Sequence, residues 1–304
     1  MSMFQSKVCL VVATAALASV SAGCSEYGQP TIGGGASVVP QVVFLSSAEA
    51  AAGGEAAEGA EGAGEVAVGS IRGRVMLTGG TPTMKLLVKA GDDIKDKEVC
   101  AAVDVPDERL MVSGDGGVAN VFVYLQKAPK GGRAVEAPAE PFVFDQKNCR
   151  FYPHTVVLPV GQTVKVLSND GVAHNTHTYP AKNTSVNSGV APMDREGKLT
   201  VVYKKAEAIP VAVKCDYHAW MNAWHLPLDH PYGAVTNENG EFAIADLPVG
   251  KHSFVVWHEA ADGNFVQRKL AVEVKAGETK SVDLKYGAKQ FATFEGPQPK
   301  STVV

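Results

Sequence analysis

The sequence predicts an all-β protein of the sandwich class, and three observations carry that expectation. Apolar and polar residues alternate in short runs, as in strands with one buried face. Turn residues separate the runs: GG at 79–80, SGDGG at 113–117, NDG at 169–171, NENG at 237–240 and PVG at 248–250. No long segment has helical periodicity, and no internal repeat emerges. The chain has 304 residues, room for about two domains. It is 45% hydrophobic and 20% charged, as in a globular protein, and its net charge of −4 gives no reason to expect nucleic acid as a partner.

Taken in order, residues 1–23 read as an export signal. Lys7 supplies the positive start, residues 8–20 are mostly apolar but too short a run to span a bilayer comfortably, and small residues follow. Ser21-Ala22-Gly23-Cys24 resembles a bacterial lipoprotein box, in which the cysteine is lipidated after cleavage. Ser21 stands where Leu is usual, and ordinary cleavage after Ala22 fits as well. Residues 24–69 read as a solvated Ala/Gly/Glu linker, whose 46–69 stretch carries five Glu and no Lys or Arg. Such a spacer suits a domain working at a distance from a membrane anchor at Cys24. The strand-like runs then follow at 71–77, 119–126, 154–160, 162–168, 198–204, 209–215, 240–247, 251–259 and 269–286. Residues 288–304 read as a tail, and no later apolar run is long enough for a membrane helix.

Of five cysteines, Cys9 leaves with the signal and Cys24 belongs to the box. Outside the cytoplasm thiols tend to pair. If Cys100 and Cys149 form a disulfide, Cys215 is left over, and an unpaired thiol in an oxidising compartment is a liability unless something ligates or uses it. Cys215 stands three residues before His218 and six before Met221, in KCDYHAWMNAW. There is no CxxCH for covalent haem.

FYPHTVVLPVGQTVKVLSNDGVAHNTH at 151–177, taken with KCDYHAWM, resembles the cupredoxins, the blue copper proteins. Phe151, Pro153, Gly161, Asn169, Asp170, His174 and Asn175 match the first part of that family's pattern, and Cys215, His218 and Met221 match its ligand loop, in a form closest to amicyanin's. The resemblance covers about 141–229 and implies a Greek-key sandwich holding one type 1 copper ion through His174, Cys215, His218 and Met221. It also implies that Asn175 hydrogen-bonds to the Cys loop. A His-Cys-His set with a weak axial Met is the ligand set of electron-transfer copper. Zinc suits Cys and His too, but Met221 argues against it. His177 and His154 are the alternates for the Met position. Trp220, Met221 and Trp224 read as an apolar collar at the His218 edge, with plain packing as the other reading.

TNENGEFAIADLPVGKHSF, within 234–286, resembles the carboxypeptidase regulatory-like domain, a transthyretin-like sandwich without catalytic residues, with Asn237 where Asp is usual. GSIRGRV at 69–75 and ANVFVYL at 119–125 look like that domain's first strands. The expected division is therefore a split sandwich, 70–130 with 231–287, interrupted by the copper domain at 141–229. In the linear alternative, strands 70–126 belong to the copper domain's own sheet.

These readings imply an exported copper protein, in the periplasm or at the cell surface, that passes single electrons between partners such as a cytochrome. Contact with a membrane would come only through a lipid anchor at Cys24. A copper-binding or storage module, and a non-enzymatic surface protein, are the alternatives. An enzyme is the weakest reading, because eight His within 154–258 do not supply the motifs of a multicopper oxidase.

Overall fold

The computed structural model describes residues 66–79 and 84–291. The expected signal, Cys24, most of the linker and the end of the tail lie outside the described residues. Among those described, no helix is long and apolar enough to cross a membrane.

The chain begins with β1 (Val68–Thr78), β2 (Leu86–Val88), the one-turn α1 (Lys97–Cys100), β3 (Val105–Pro106) and β4 (Phe122–Tyr124). It continues through β5 (Phe142–Lys147), β6 (Arg150–Tyr152), β7 (Thr155–Pro159), β8 (Thr163–Val166) and β9 (His174–Tyr179). Then come β10 (Asn187–Val190), β11 (Leu199–Val202), β12 (Val211–Lys214) and β13 (Asn222–Leu228). The last strands are β14 (Gly233–Val235), β15 (Glu241–Pro248), β16 (Gly250–Trp257), β17 (Phe265–Val274), β18 (Thr279–Ser281) and β19 (Leu284–Gly287). The all-β expectation therefore holds.

Two pairs of sheets account for nearly all of these strands. In the first, β15-β1-β18, with β19 also on β1, faces β14-β4-β16-β17. Ile71, Val75, Val123, Phe242, Phe254 and Val272 fill the space between them. In the second, β10-β9-β12-β13-β7 faces β11-β8-β5-β6 across Phe144, Phe151, Val164, Val213, Met221 and Ala223. In both, alternate residues of each strand enter the core, as the period of two requires.

The ladders fix the order of connection. β1 pairs with β15, β18 and β19, while β4 pairs with β14 and β16. β1 and β4 thus share sheets with strands after Leu228, and β5 to β13 lie between them in the chain. The NENG turn shows why the return strand sits where it does. The Asn237 side-chain oxygen accepts the N–H groups of Asn239 and Glu241. Gly240 follows with φ +79, and a Cβ there would meet the Val75 carbonyl at 2.4 Å, so β15 can close on β1 only through a glycine.

Between the two sandwiches, Phe122, Tyr124, Val255 and Trp257 meet Val157, Leu226 and Leu228. Trp224 packs edge-on against Trp257, ring centroids 4.8 Å apart. The hairpin of β2 and β3, with α1 at its tip, lies against the second sandwich. Trp220 packs against its Val88, Ala101 and Val105, and a disulfide joins Cys100 to Cys149. Closing that 49-residue interval restricts the unfolded chain by about 4 kcal/mol in the chain-entropy description. At the far end, Ala288–Phe291 form a 3-10 turn that buries Phe291 beside His258, so the fold runs four residues into the expected tail.

Candidate metal centre

β9 and β12 are neighbours in the middle of the five-stranded sheet, paired Val213 to Thr178 and Lys214 to His177. His174 opens β9 and Cys215 follows the last residue of β12, so the ladder itself sets them side by side. The chain must then reverse within 215–221 to return as β13. The Cys215 N–H donates to the Met221 carbonyl (3.2 Å), and the Met221 N–H to that of His218 (2.9 Å). This tight loop swings His218 back over Cys215.

The result is a convergence of donor atoms. His174 Nδ1 and His218 Nδ1 lie 3.0 Å apart, and Cys215 Sγ lies 4.0 Å from the first and 3.7 Å from the second. All three side chains are buried. Each imidazole has its other nitrogen on a carboxylate: His174 Nε2 on Asp170 Oδ2 at 2.9 Å, and His218 Nε2 on Asp96 Oδ2 at 3.0 Å. A carboxylate calls for the proton on Nε2, which turns both Nδ1 lone pairs inward. Asn175 ties the segments together. Its Oδ1 accepts the Asp216 N–H at 2.6 Å, and its Nδ2 donates to Asp216 Oδ2 at 2.8 Å.

Electrostatics follow from this packing. Burial alone would raise the Cys215 thiol. Contacts with His174 and His218, and the N–H groups of Asn175 and Tyr217, outweigh it and bring the thiol down to about 6. Burial likewise works against a charged His174, yet Asp170 and Cys215 hold it up at about 9. The two shifts favour charge separation between thiol and imidazole, and a metal ion bound here would displace the protons that these contacts hold.

Met221 is buried in the same apolar cluster as Cys215, Cys149 and Phe151. The two alternates sit elsewhere. His177 is at the rim, its Nδ1 within 3.0 Å of Asp216 Oδ2 and 2.9 Å of the Tyr179 hydroxyl. His154 is buried against Glu259 of the other sandwich, with Glu108 at 4.0 Å. The expected collar is divided: Trp220 faces His218 with ring centroids 5.3 Å apart and lies under the hairpin, while Trp224 turns to Trp257.

Two functional contacts were not foreseen. Asp170 stood out only as part of a turn; its spacing, four residues before His174, was the available signal. Asp96 lies 122 residues from His218 and carries no local signal.

No family profile and no curated protein matches the chain. Similar solved structures include the copper-containing nitrite reductase of Thermus scotoductus, at 16% identity over 32% of this chain and 25% of that one, TM-score 0.26. A purple cupredoxin of Nitrosopumilus maritimus is 19% identical over 29% of this chain and 99% of its own, TM-score 0.24. Amicyanin of Paracoccus versutus is 13% identical over 36% of this chain and 99% of its own, TM-score 0.25. This chain thus spans about a quarter of the length of the nitrite reductase.

Proposed function

We propose that the chain is an exported copper protein that carries single electrons between redox partners, of which a cytochrome is one kind. One observation carries the reading: two imidazole Nδ1 atoms and one thiolate meet in a buried space, each imidazole backed by a carboxylate. That donor set suits copper. Thiolate favours the reduced ion and imidazole both states, and Met221 on the same loop is a soft axial candidate that zinc has little use for. His174, Cys215 and His218 would hold the ion, with Met221 as the fourth ligand. Copper bound there supplies a one-electron couple.

The remaining work falls to the protein. Asp170 and Asp96 fix the imidazole tautomers, and Asn175 holds the Cys loop to β9. Burial of all three donors keeps substrate away, which supports electron exchange rather than turnover. On this reading residues 141–229 are a copper domain inserted into a regulatory-like sandwich, 70–130 with 231–287. The disulfide at Cys100 and Cys149 supports an oxidising compartment such as the periplasm. The signal at 1–23 and an anchor at Cys24 belong to the same proposal.

The test is to load the full chain with one equivalent of copper(II) at neutral pH. An intense visible thiolate-to-copper band and a reversible one-electron wave are expected, both lost in Cys215→Ser. Full copper occupancy without colour would reject the reading. Colour without electron exchange would leave a copper-holding module instead.

A further inference from the structure

Both ligand imidazoles rest on a carboxylate, but the two carboxylates arrive differently. Asp170 is four residues from His174, in the turn that leads into β9. Asp96 comes from the hairpin outside the second sandwich. It precedes α1 with a left-handed backbone, φ 56 and ψ 35, a conformation disfavoured for any residue with a Cβ and best tolerated by Asn, Asp and Gly. An Asp in that position ordinarily accepts an N–H of the first turn, yet this one makes no capping hydrogen bond. Its carboxylate is turned inward to His218 Nε2 instead. Four residues on, the Cys100–Cys149 disulfide pins the segment: both sulfurs and a ring nitrogen of His218 lie within 4.8 Å of one another. The Trp220 indole N–H donates to the Cys149 carbonyl at 3.1 Å, closing the same corner. A residue held in a disfavoured conformation, forgoing its local bond to reach a ligand from outside, points to a role at the centre.

Resting on the copper reading above, we infer that Asp96 is a positioning residue of the centre: it accepts Nε2–H of His218, aims Nδ1 at the metal and favours the oxidised ion by its charge. A carboxylate hydrogen-bonded to a ligand imidazole stabilises the higher positive charge more than the lower. The hairpin from Leu86 to Pro106 is then part of the centre and not an appendage to it.

Two variants separate charge from hydrogen bond. Asp96→Asn keeps an acceptor and tolerates the left-handed backbone. Asp96→Gly suits the backbone and removes the side chain. In the copper-loaded full chain, Asp96→Asn should favour the reduced ion about tenfold, a rise of about 59 mV for one electron. In the metal-free, ¹⁵N-histidine-labelled full chain, wild type and Asp96→Asn should show protected Nε2–H signals from His174 and His218, beside those of the buried His154, His252 and His258. Asp96→Gly should keep the His174 signal and lose that of His218. An unchanged potential in Asp96→Asn, or a His218 Nε2–H still protected in Asp96→Gly, would overturn the assignment. Failure of the copper reading shows up in the wild type as a colourless loaded protein, while the metal-free spectra still decide the role of Asp96.

Discussion

Two buried clusters in this molecule use the same ingredients and wire them in opposite ways. Around His154, each formal charge has a partner. Its Nε2 meets Glu259, and Glu108 lies nearby with Arg150 bound to it. Around His174 and His218, the carboxylates sit behind the rings, and the ring Nδ1 atoms face one another and the Cys215 sulfur across 3.0 to 4.0 Å. The first arrangement is an ion pair across two sandwiches, with His154 Nδ1 making no hydrogen bond and Glu108 4.0 Å from it. The second asks for a cation between its donors. Burial and residue type alone do not separate a metal centre from a structural salt bridge; the direction in which the imidazoles point does.

The largest expected effect sits in the second cluster. Replacing Cys215 by Ser should abolish the thiolate-to-copper band outright, whereas Glu259→Gln should leave it in place. A Glu259→Gln protein that loses its colour when copper-loaded would erase the distinction between the clusters.

Next in size is the cost of breaking the first cluster. Glu259→Gln leaves a buried His154 without its counter-charge and should destabilise the fold by about 3–5 kcal/mol, read from urea unfolding of the metal-free protein. Removing the disulfide with Cys100→Ala and Cys149→Ala should cost about 4 kcal/mol over its 49-residue interval, seen as a fall in the denaturation midpoint. A loss under about 1 kcal/mol would mean that the hairpin is held by packing alone.

The ion pair also sets a pH dependence. Burial disfavours the His154 imidazolium, but Glu259 and Glu108 hold it up at about 9; burial likewise would raise Glu259, and the His154 contact holds it below its usual range. The His154 contribution is thus whole below its ordinary value of 6.5 and fades as pH climbs through about 9. Unfolding free energy should fall on the order of 3 kcal/mol more in wild type than in Glu259→Gln between those limits. Parallel pH profiles for the two proteins would show that the pair does not carry the charge assigned to it. The smallest effect belongs to Asn175. Its replacement by Ala removes the bond from the Asp216 N–H and should cost about 1 kcal/mol, measured by thermal unfolding.

Much of the candidate centre was legible because its geometry is local. Cys215, His218 and Met221 share one loop, and such a loop must converge if it ties β12 to β13. His174 was legible through the turn before it and its place at the start of a strand. The sandwich class could be read from turns such as NENG, where Asn237 and Gly240 act through their own backbone. What escaped was set by distance along the chain. His154 looked like a spare ligand beside the centre because Glu259, its partner, lies 105 residues away on the other sandwich. Trp224 looked like rim because nothing local announces Trp257. α1 has a single turn, too short for a period to show, so nothing in the sequence marks Asp96.

The central claim is that Nδ1 of His174, Nδ1 of His218 and Sγ of Cys215 hold one copper ion. X-ray absorption at the copper edge of the loaded full chain tests it most directly. The account predicts a shell of one short thiolate sulfur and two imidazole nitrogens, with the sulfur gone in Cys215→Ser. A shell of nitrogen and oxygen alone in the wild type would contradict it.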